Sequence, residues 1–330
     1  MIEYDASKVS KELVGLLLLL LFGYCFFFVD IDTSNLAIPT SLLNVNTIFL
    51  SIVFEAIPFI LLGVFASALI QVFISERAIQ RMIPKNPYLA LVSAVVVSAI
   101  LPVCECAIIP VVRRLLKKGM PLHVGMVILV GAPILNPIVF ASTFYAFQSD
   151  LSIVYSRMGL AVIVCLLIGL AIYWTFRNQN QLKDVHVHVH SDHGKGNRLK
   201  QTLYHASDEF FDMGKYLLFG ALVASLFQTF LDRQVLVSLA SNEYVSSAVM
   251  MGFAYVLSLC SEADAFVASS FAHTFTPTAL LAFLVYGPMI DLKNTIMLFA
   301  FFKKKFAIQF ILMITVIVYG VVMMYGWLMG

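Results

Sequence analysis

Long apolar runs alternate with short charged segments along the whole chain. A helix needs roughly 20 mostly apolar residues to cross the ~30 Å hydrocarbon core of a bilayer. This pattern predicts full-length membrane helices at 13–29, 47–74, 121–147, 153–176, 209–231, 278–302 and 306–326. Two further apolar stretches are of a different kind. Residues 88–118 are interrupted by Pro102 and the run Cys104-Glu105-Cys106, and residues 246–275 by Cys260-Ser261-Glu262-Ala263-Asp264. Each reads either as one long crossing helix or as two half-length helices folded back as a hairpin. Arms of about 14 residues reach only ~21 Å at 1.5 Å per residue, short of a full crossing.

The basic residues choose between these readings, because cytoplasmic loops are enriched in Lys and Arg. With both interrupted stretches re-entrant and the N-terminus inside, 17 of the 21 Lys and Arg fall on the inner side. Arg157 and Arg233 then lie near outer ends, and Lys215 and Lys293 lie within apolar segments. With both stretches crossing fully, the four basic residues at 113–118 and the five at 177–200 move outside. The hairpin arrangement fits the charge pattern better. It places the N-terminus in the cytoplasm and the C-terminus outside.

The two halves of the chain also resemble each other. EAIPFILLGVFASALIQ (55–71) aligns with DMGKYLLFGALVASLFQ (212–228), matching Gly63 to Gly220 and Gln71 to Gln228. Cys104 and Cys260, Pro121 and Pro277, and Gly131 and Gly287 recur at a common spacing of 156. A unit that crosses three times and is then duplicated is inserted upside down the second time. Inverted repeats with broken helices meeting near the midplane recur in secondary transporters. The expected fold is therefore an all-α integral membrane protein with two inverted-topology repeats, each with a re-entrant hairpin and broken helices, plus one extra N-terminal helix. The expected divisions are residues 1–46 (that helix and an outer loop), 47–176 (first repeat), 177–205 (a cytoplasmic, His-containing linker) and 206–330 (second repeat).

Composition agrees with a membrane protein. The chain is 61% hydrophobic and 12% charged, against about 45–50% and about 25% in soluble domains. A net charge of +2 gives no electrostatic case for a nucleic-acid partner. Five cysteines without a regular framework argue against a secreted disulfide scaffold. No small-residue cleavage site follows the 13–29 run, where the next residues are Asp30-Ile31-Asp32, so that run is expected to be retained rather than removed as a signal peptide.

The candidate pathway residues cluster at the interruptions. Cys104, Glu105 and Cys106 sit at the first predicted tip, and Cys260, Ser261, Glu262 and Asp264 at the second. Thiolates are soft ligands suited to Cu(I), Zn(II) or As(III), and a helix N-terminus at a tip favours anions. The alternative is a tight turn in which the cysteines are small buried hydrophobes. Ionisable groups at membrane depth are candidates for proton or cation binding, although Ser261 and Asp264 also fit a capping pattern. Gly131, Pro133, Asn136 and Pro137 are expected to break helix 121–147, and Gly287 and Pro288 to break helix 278–302, which carries Asp291, Lys293 and Asn294. On a regular helix Asp291 and Lys293, two residues apart, would not face each other. Glu55, at the position equivalent to Asp212, reads as a proton relay or as a buried carboxyl bonded to backbone. His186, His188, His190 and His193 form a tract of the sort that binds Zn, Ni or Cu loosely, or else a solvated linker.

The stretch LPVCEC (101–106), followed by IIPVVRRLLKKGMPL and GAPILNP (131–137), resembles the signature of the predicted-permease family that contains the ArsP organoarsenical exporters. CSEADAFVASSF (260–271) is similar to the matching second motif, and the resemblance covers about residues 47–326. It implies a bacterial inner-membrane permease, in a family whose exporters are associated with trivalent organoarsenicals. Members often carry Cys-Ser-Cys at the first motif, where this chain has Glu105 and an added negative charge. No phosphate-binding G-x-x-x-x-G-K-[ST] motif is present, so coupling to a proton or ion gradient is expected. The expected function is movement of a small solute, whether anion, metalloid or soft-metal species. Its expected partners are the lipid bilayer, the substrate and a co-encoded membrane subunit, with no cofactor. The rival readings are a lipid-headgroup flippase, a membrane thiol oxidoreductase, and a channel or scaffold subunit of a larger complex.

Overall fold

The computed structural model describes residues 40–73, 75, 77, 81, 83–84, 86–176, 181–183, 198–230 and 243–329. The predicted helix 13–29 and the four linker histidines lie outside the described residues. Residues 44–330 form one compact unit, and of the unit 1–43 only Thr40–Leu43, the first turn of a helix, is described.

Twelve helices account for almost all of the described chain: α1 (Thr40–Phe73), α2 (Pro87–Ile100), α3 (Glu105–Lys117), α4 (Leu122–Leu135), α5 (Pro137–Ala146), α6 (Leu151–Thr175), α7 (Arg198–Phe230), α8 (Glu243–Leu257), α9 (Asp264–Ser270), α10 (Pro277–Met289), α11 (Leu292–Phe301) and α12 (Lys304–Met329). Six spans are long and apolar enough to cross a membrane: 40–72, 122–146, 151–175, 209–230, 277–301 and 304–329. They match six of the seven predicted segments. The chain is thus an all-helical, multi-pass membrane protein.

Local chemistry sets the helix starts. Asn86-Pro87, Asn136-Pro137 and Thr276-Pro277 each place a side-chain acceptor at the cap and proline in the first turn. The acceptor satisfies a free backbone amide, and proline lacks the amide that would go unbonded there. Gly119, at φ 91°, ends α3 in the left-handed conformation that glycine adopts without cost.

The first broken helix breaks at the last of its expected positions, Asn136-Pro137, and the second breaks later than expected. The helix runs through Gly131 and Pro133 and ends only at Asn136, which is extended (φ −70°, ψ 156°) as residues before proline prefer to be. The second runs through Gly287 and Pro288 and breaks at Ile290 and Asp291. The interrupted stretches also divide as the sequence indicates, into α2 and α3 and into α8 and α9. The last arm is shorter than the expected 14 residues, since α9 has 7.

The element order of α1–α6 recurs in α7–α12: a long helix, two short ones, a broken pair and another long helix. Packing follows the same order. Helix α2 packs on α4 as α8 packs on α10, and α4 packs on α6 as α10 packs on α12. Between the halves the contacts are reciprocal: α3 meets α11 while α9 meets α5, α4 meets α10, and α6 meets α12. The two broken spans lie innermost, with 78% and 83% of their most apolar stretches buried against 33–39% in the other four. Gly63 lets α1 approach α3 closely, since a Cβ there would lie 2.6 Å from Ala107 Cα. The matching Gly220 sets α7 against the backbone of Lys293, at 3.1 Å.

Candidate functional site

The interruptions bring a set of charged side chains into the core. Glu105 opens α3, in the first turn after the cap residue Cys104, and is 4% exposed. Its Oε1 lies 3.2 Å from Lys293 Nζ on α11. That ammonium is also 3.4 Å from Asp291 Oδ2 and donates to the Ser258 carbonyl at 2.7 Å. Asp291 reaches Lys293 because the break makes it an extended cap residue (φ −136°, ψ 178°), not part of a regular helix. Its other oxygen accepts from Asn294 N at 2.7 Å, satisfying one of the free amides of α11. Two carboxylates thus share one lysine, and all three side chains are at most 5% exposed.

Ser258 ties the second interruption to this cluster. Its Oγ accepts from Leu292 N at 3.2 Å while its carbonyl holds Lys293. It does so at φ 47°, the one left-handed non-glycine residue among those described. Such a conformation costs on the order of 1–3 kcal/mol and persists where the surroundings over-determine it.

A second ion pair sits at the start of α9. Arg157 on α6 donates to both oxygens of Asp264, at 3.0 and 2.9 Å, and to Thr143 Oγ1 of α5 at 2.6 Å. Arg157 is fully buried. The sequence pattern placed it near an outer helix end, and it is the principal site residue that reading missed. The available signal was an arginine inside an apolar span, which at membrane depth demands a buried partner. The cap of α9 is Ala263, without a side-chain hydrogen bond, so Asp264 serves the ion pair and not the capping box expected with Ser261. The Ser261 hydroxyl is buried without a partner.

The three tip cysteines are buried and free. Cys260 donates to Glu262 Oε2 at 2.6 Å, and Cys104 lies in the electrostatic range of Glu105 and Glu262. Among the described residues no group of three His, Cys, Asp or Glu is arranged to hold a metal ion. Asn136 caps α5 by accepting from Ile138 and Val139 amides and donates to Ala132 O. It thereby occupies in the first broken span the place Asp291 holds in the second. Glu55 is exposed on the outer face of α1, away from the cluster.

A third cross-half pair lies at the other end of α3. Arg114 Nη2 meets Glu209 Oε2 at 3.0 Å, and Ser67 of α1 donates to the same oxygen at 2.8 Å. Arg113 stacks its guanidinium 4.5 Å above the Phe301 ring. Among the described residues, ion pairs therefore join the two halves at three places, Glu105–Lys293, Asp264–Arg157 and Arg114–Glu209.

Comparison with known proteins agrees with this architecture. A family model described as predicted permease (ArsP_1) matches residues 41–327. The chain is 50% identical over 282 residues to the UPF0718 protein YcgR of Bacillus subtilis, covering 84% of this chain and 96% of that one. It is 39% identical over 277 residues to a Streptococcus mutans protein named "Putative two-component membrane permease complex subunit", covering 83% and 92%. No solved structure matches. With its charged residues gathered inside a bundle of membrane-length helices, the chain belongs to this predicted-permease family and is a transporter rather than an enzyme.

Proposed function

We propose that this permease moves a small solute through the buried Glu105–Asp291–Lys293 cluster, driven by a proton or ion gradient. The observation that carries this reading is a set of ionisable side chains, contributed by both halves, inside the core of the membrane-length helices. Burying such groups is expensive, and at membrane depth they mark ion and substrate paths. Among the described residues around the interruptions, four carboxyl groups (Glu105, Glu262, Asp264 and Asp291) accompany two cationic side chains, Lys293 and Arg157. The set balances by taking up protons or cations, which is the property gradient coupling needs.

The reciprocal contacts between α1–α6 and α7–α12 support two repeats of inverted topology, 47–176 and 206–330, joined by the linker 177–205. In this arrangement α2–α3 and α8–α9 are re-entrant hairpins entering from opposite faces. The N-terminus is cytoplasmic and the C-terminus outside. Alternating access is then a rocking of one half against the other across the cross-half ion pairs. The name of the Streptococcus relative supports a second membrane subunit as partner, and co-purification with the product of an adjacent gene tests it.

The function is tested in proteoliposomes loaded with a pH-reporting dye. Sodium, potassium, methylammonium, phosphate and arsenite are added in turn across an imposed pH gradient. At least one solute is expected to collapse the gradient with wild-type protein and to fail with Glu105→Gln. The reading is rejected if none of them moves protons, or if the variant matches wild type.

A further inference from the structure

We propose that the Glu105–Asp291 pair is a binding site for a monovalent cation or alkylammonium group, and that Lys293 is its built-in, exchangeable occupant. The assignment rests on reading this cluster as the transport site and specifies what the site takes.

Three observations lead to it. First, the site presents unused acceptors. Glu105 Oε2 is buried without a hydrogen-bond donor, as is Asn294 Oδ1, and Asp291 Oδ2 has only the 3.4 Å ion pair with Lys293. Glu105 and Asp291 are 4% and 1% exposed, so both carboxyls lie away from bulk solvent. Second, the charges around the cluster disfavour anions. Asn136 and Asp291 accept from first-turn amides of α5 and α11, and Glu105 adds a negative charge to the first turn of α3, which opposes an anionic group at those helix ends. Third, the occupant now present is a primary ammonium, held by two carboxylates and the Ser258 carbonyl. A cation with similar demands competes for the same oxygens. No cluster of three or more His, Cys, Asp or Glu suited to a metal ion occurs among the described residues, which points away from divalent metals.

The two buried ion pairs differ in one respect that gives the site a mechanism. A lysine ammonium can release its proton when a competitor takes its counter-ions, whereas arginine stays charged. The Arg157–Asp264 pair therefore serves as a fixed tie and Lys293 as the switch. When a cation settles between Glu105 and Asp291, the N–H bond of Lys293 breaks and the proton leaves to water. The cluster charge is unchanged, because one cation enters and one proton departs. Reprotonation of Lys293 from the opposite face expels the cation, giving one-for-one cation–proton exchange. The groups facing Lys293 are Asp291 on its own helix, Glu105 and Cys106 of α3, and Cys260 at the second interruption.

Purified protein in detergent tests this without transport. Sodium, potassium or methylammonium chloride is added at fixed ionic strength, with N-methyl-D-glucamine chloride as the bulky control and sodium gluconate as the anion control. At least one small cation is expected to raise the unfolding temperature above the bulky control, whichever anion accompanies it. In weakly buffered solution the same cation is expected to release about one proton per protein. Lys293→Ala is expected to keep the cation-dependent stabilisation and lose the proton release, while Glu105→Gln and Asp291→Asn lose the stabilisation. The assignment is overturned if no small cation stabilises wild type beyond the control, or if stabilisation occurs without proton release. Both wild-type arms decide this even where a variant fails to fold. Absent binding alongside intact proteoliposome flux removes the assignment and leaves the permease reading standing. Intact binding with no flux does the reverse.

Discussion

Asp264→Asn removes one charge from a pair sealed inside the protein, and its cost follows from what is left behind. The substitution keeps the shape of the side chain and one oxygen acceptor. It leaves the Arg157 guanidinium, with no exposed surface, facing a neutral amide. Arginine cannot shed its charge, and the remaining contacts are Thr143 Oγ1 at 2.6 Å and a long one to Ser261 O at 3.5 Å. Removing one partner of a buried pair costs ~3–5 kcal/mol, because the survivor is an uncompensated charge. The reverse change, Arg157→Met, leaves a carboxyl that can take up a proton, and the cost falls to ~1–3 kcal/mol, that of an unsatisfied polar group. Replacing both, as Arg157→Met with Asp264→Leu, is expected to recover most of the loss, since apolar substitution of a whole buried pair is often near neutral. Denaturation in mixed micelles followed by far-ultraviolet circular dichroism gives the ranking. Asp264→Asn should be the least stable of the three. If it is as stable as wild type, or if the double variant falls below it, the pair does not carry the buried charge balance described above.

Gly63→Leu is expected to abolish stable expression, because the position already sits 2.6 Å from Ala107 Cα by the path of a new Cβ, whereas Gly220→Ala, with Lys293 Cα at 3.1 Å, should fold with reduced stability; yield and monodispersity in detergent check both. Ser258→Gly relieves the strained backbone while keeping the carbonyl that holds Lys293, and Ser258→Ala keeps the strain, so both lose the hydroxyl but the glycine variant should be the more stable by ~1 kcal/mol. Glu209→Gln breaks the tie to Arg114 and weakens the bond from Ser67; the expected cost is ~1.5–3 kcal/mol, near the lower end because Arg114 retains contact with water.

Much of the helix pattern was legible because hydrophobic length is a direct physical requirement of the bilayer. The segments at 153–176 and 306–326 correspond closely to α6 (Leu151–Thr175) and α12 (Lys304–Met329). The interruptions at 102–106 and 260–264 were legible for the same reason, since charge inside an apolar run demands an explanation. The break positions were legible only in part, at Asn136-Pro137 in the first broken span. Proline inside a buried helix is tolerated when neighbours satisfy the freed carbonyl, so Pro133 and Pro288 left the helix intact and the extended cap residues Asn136 and Asp291 ended it. The site was legible in its members and not in its pairing. Glu105, Asp264, Asp291 and Lys293 stood out as ionisable groups at depth, but which acid met which base depends on contacts between halves that no local spacing encodes. Arg157 was missed because a basic residue six positions into α6 reads equally well as an interface anchor. Glu55 stood out for the same reason as Glu105, and its exposed position shows that charge in an apolar run is not sufficient.

The opposed insertion of the two halves is the claim on which the central cluster depends, and thiol labelling tests it directly. Lys117 at the end of α3 and His273 beyond α9 are both exposed and occupy equivalent places, 156 residues apart. Each is replaced singly by cysteine, with the wild-type chain as the blank. Intact cells and inverted vesicles are then treated with a membrane-impermeant maleimide. The account predicts that Lys117→Cys reacts only in inverted vesicles and His273→Cys only in intact cells. Reaction of both from the same side would contradict it.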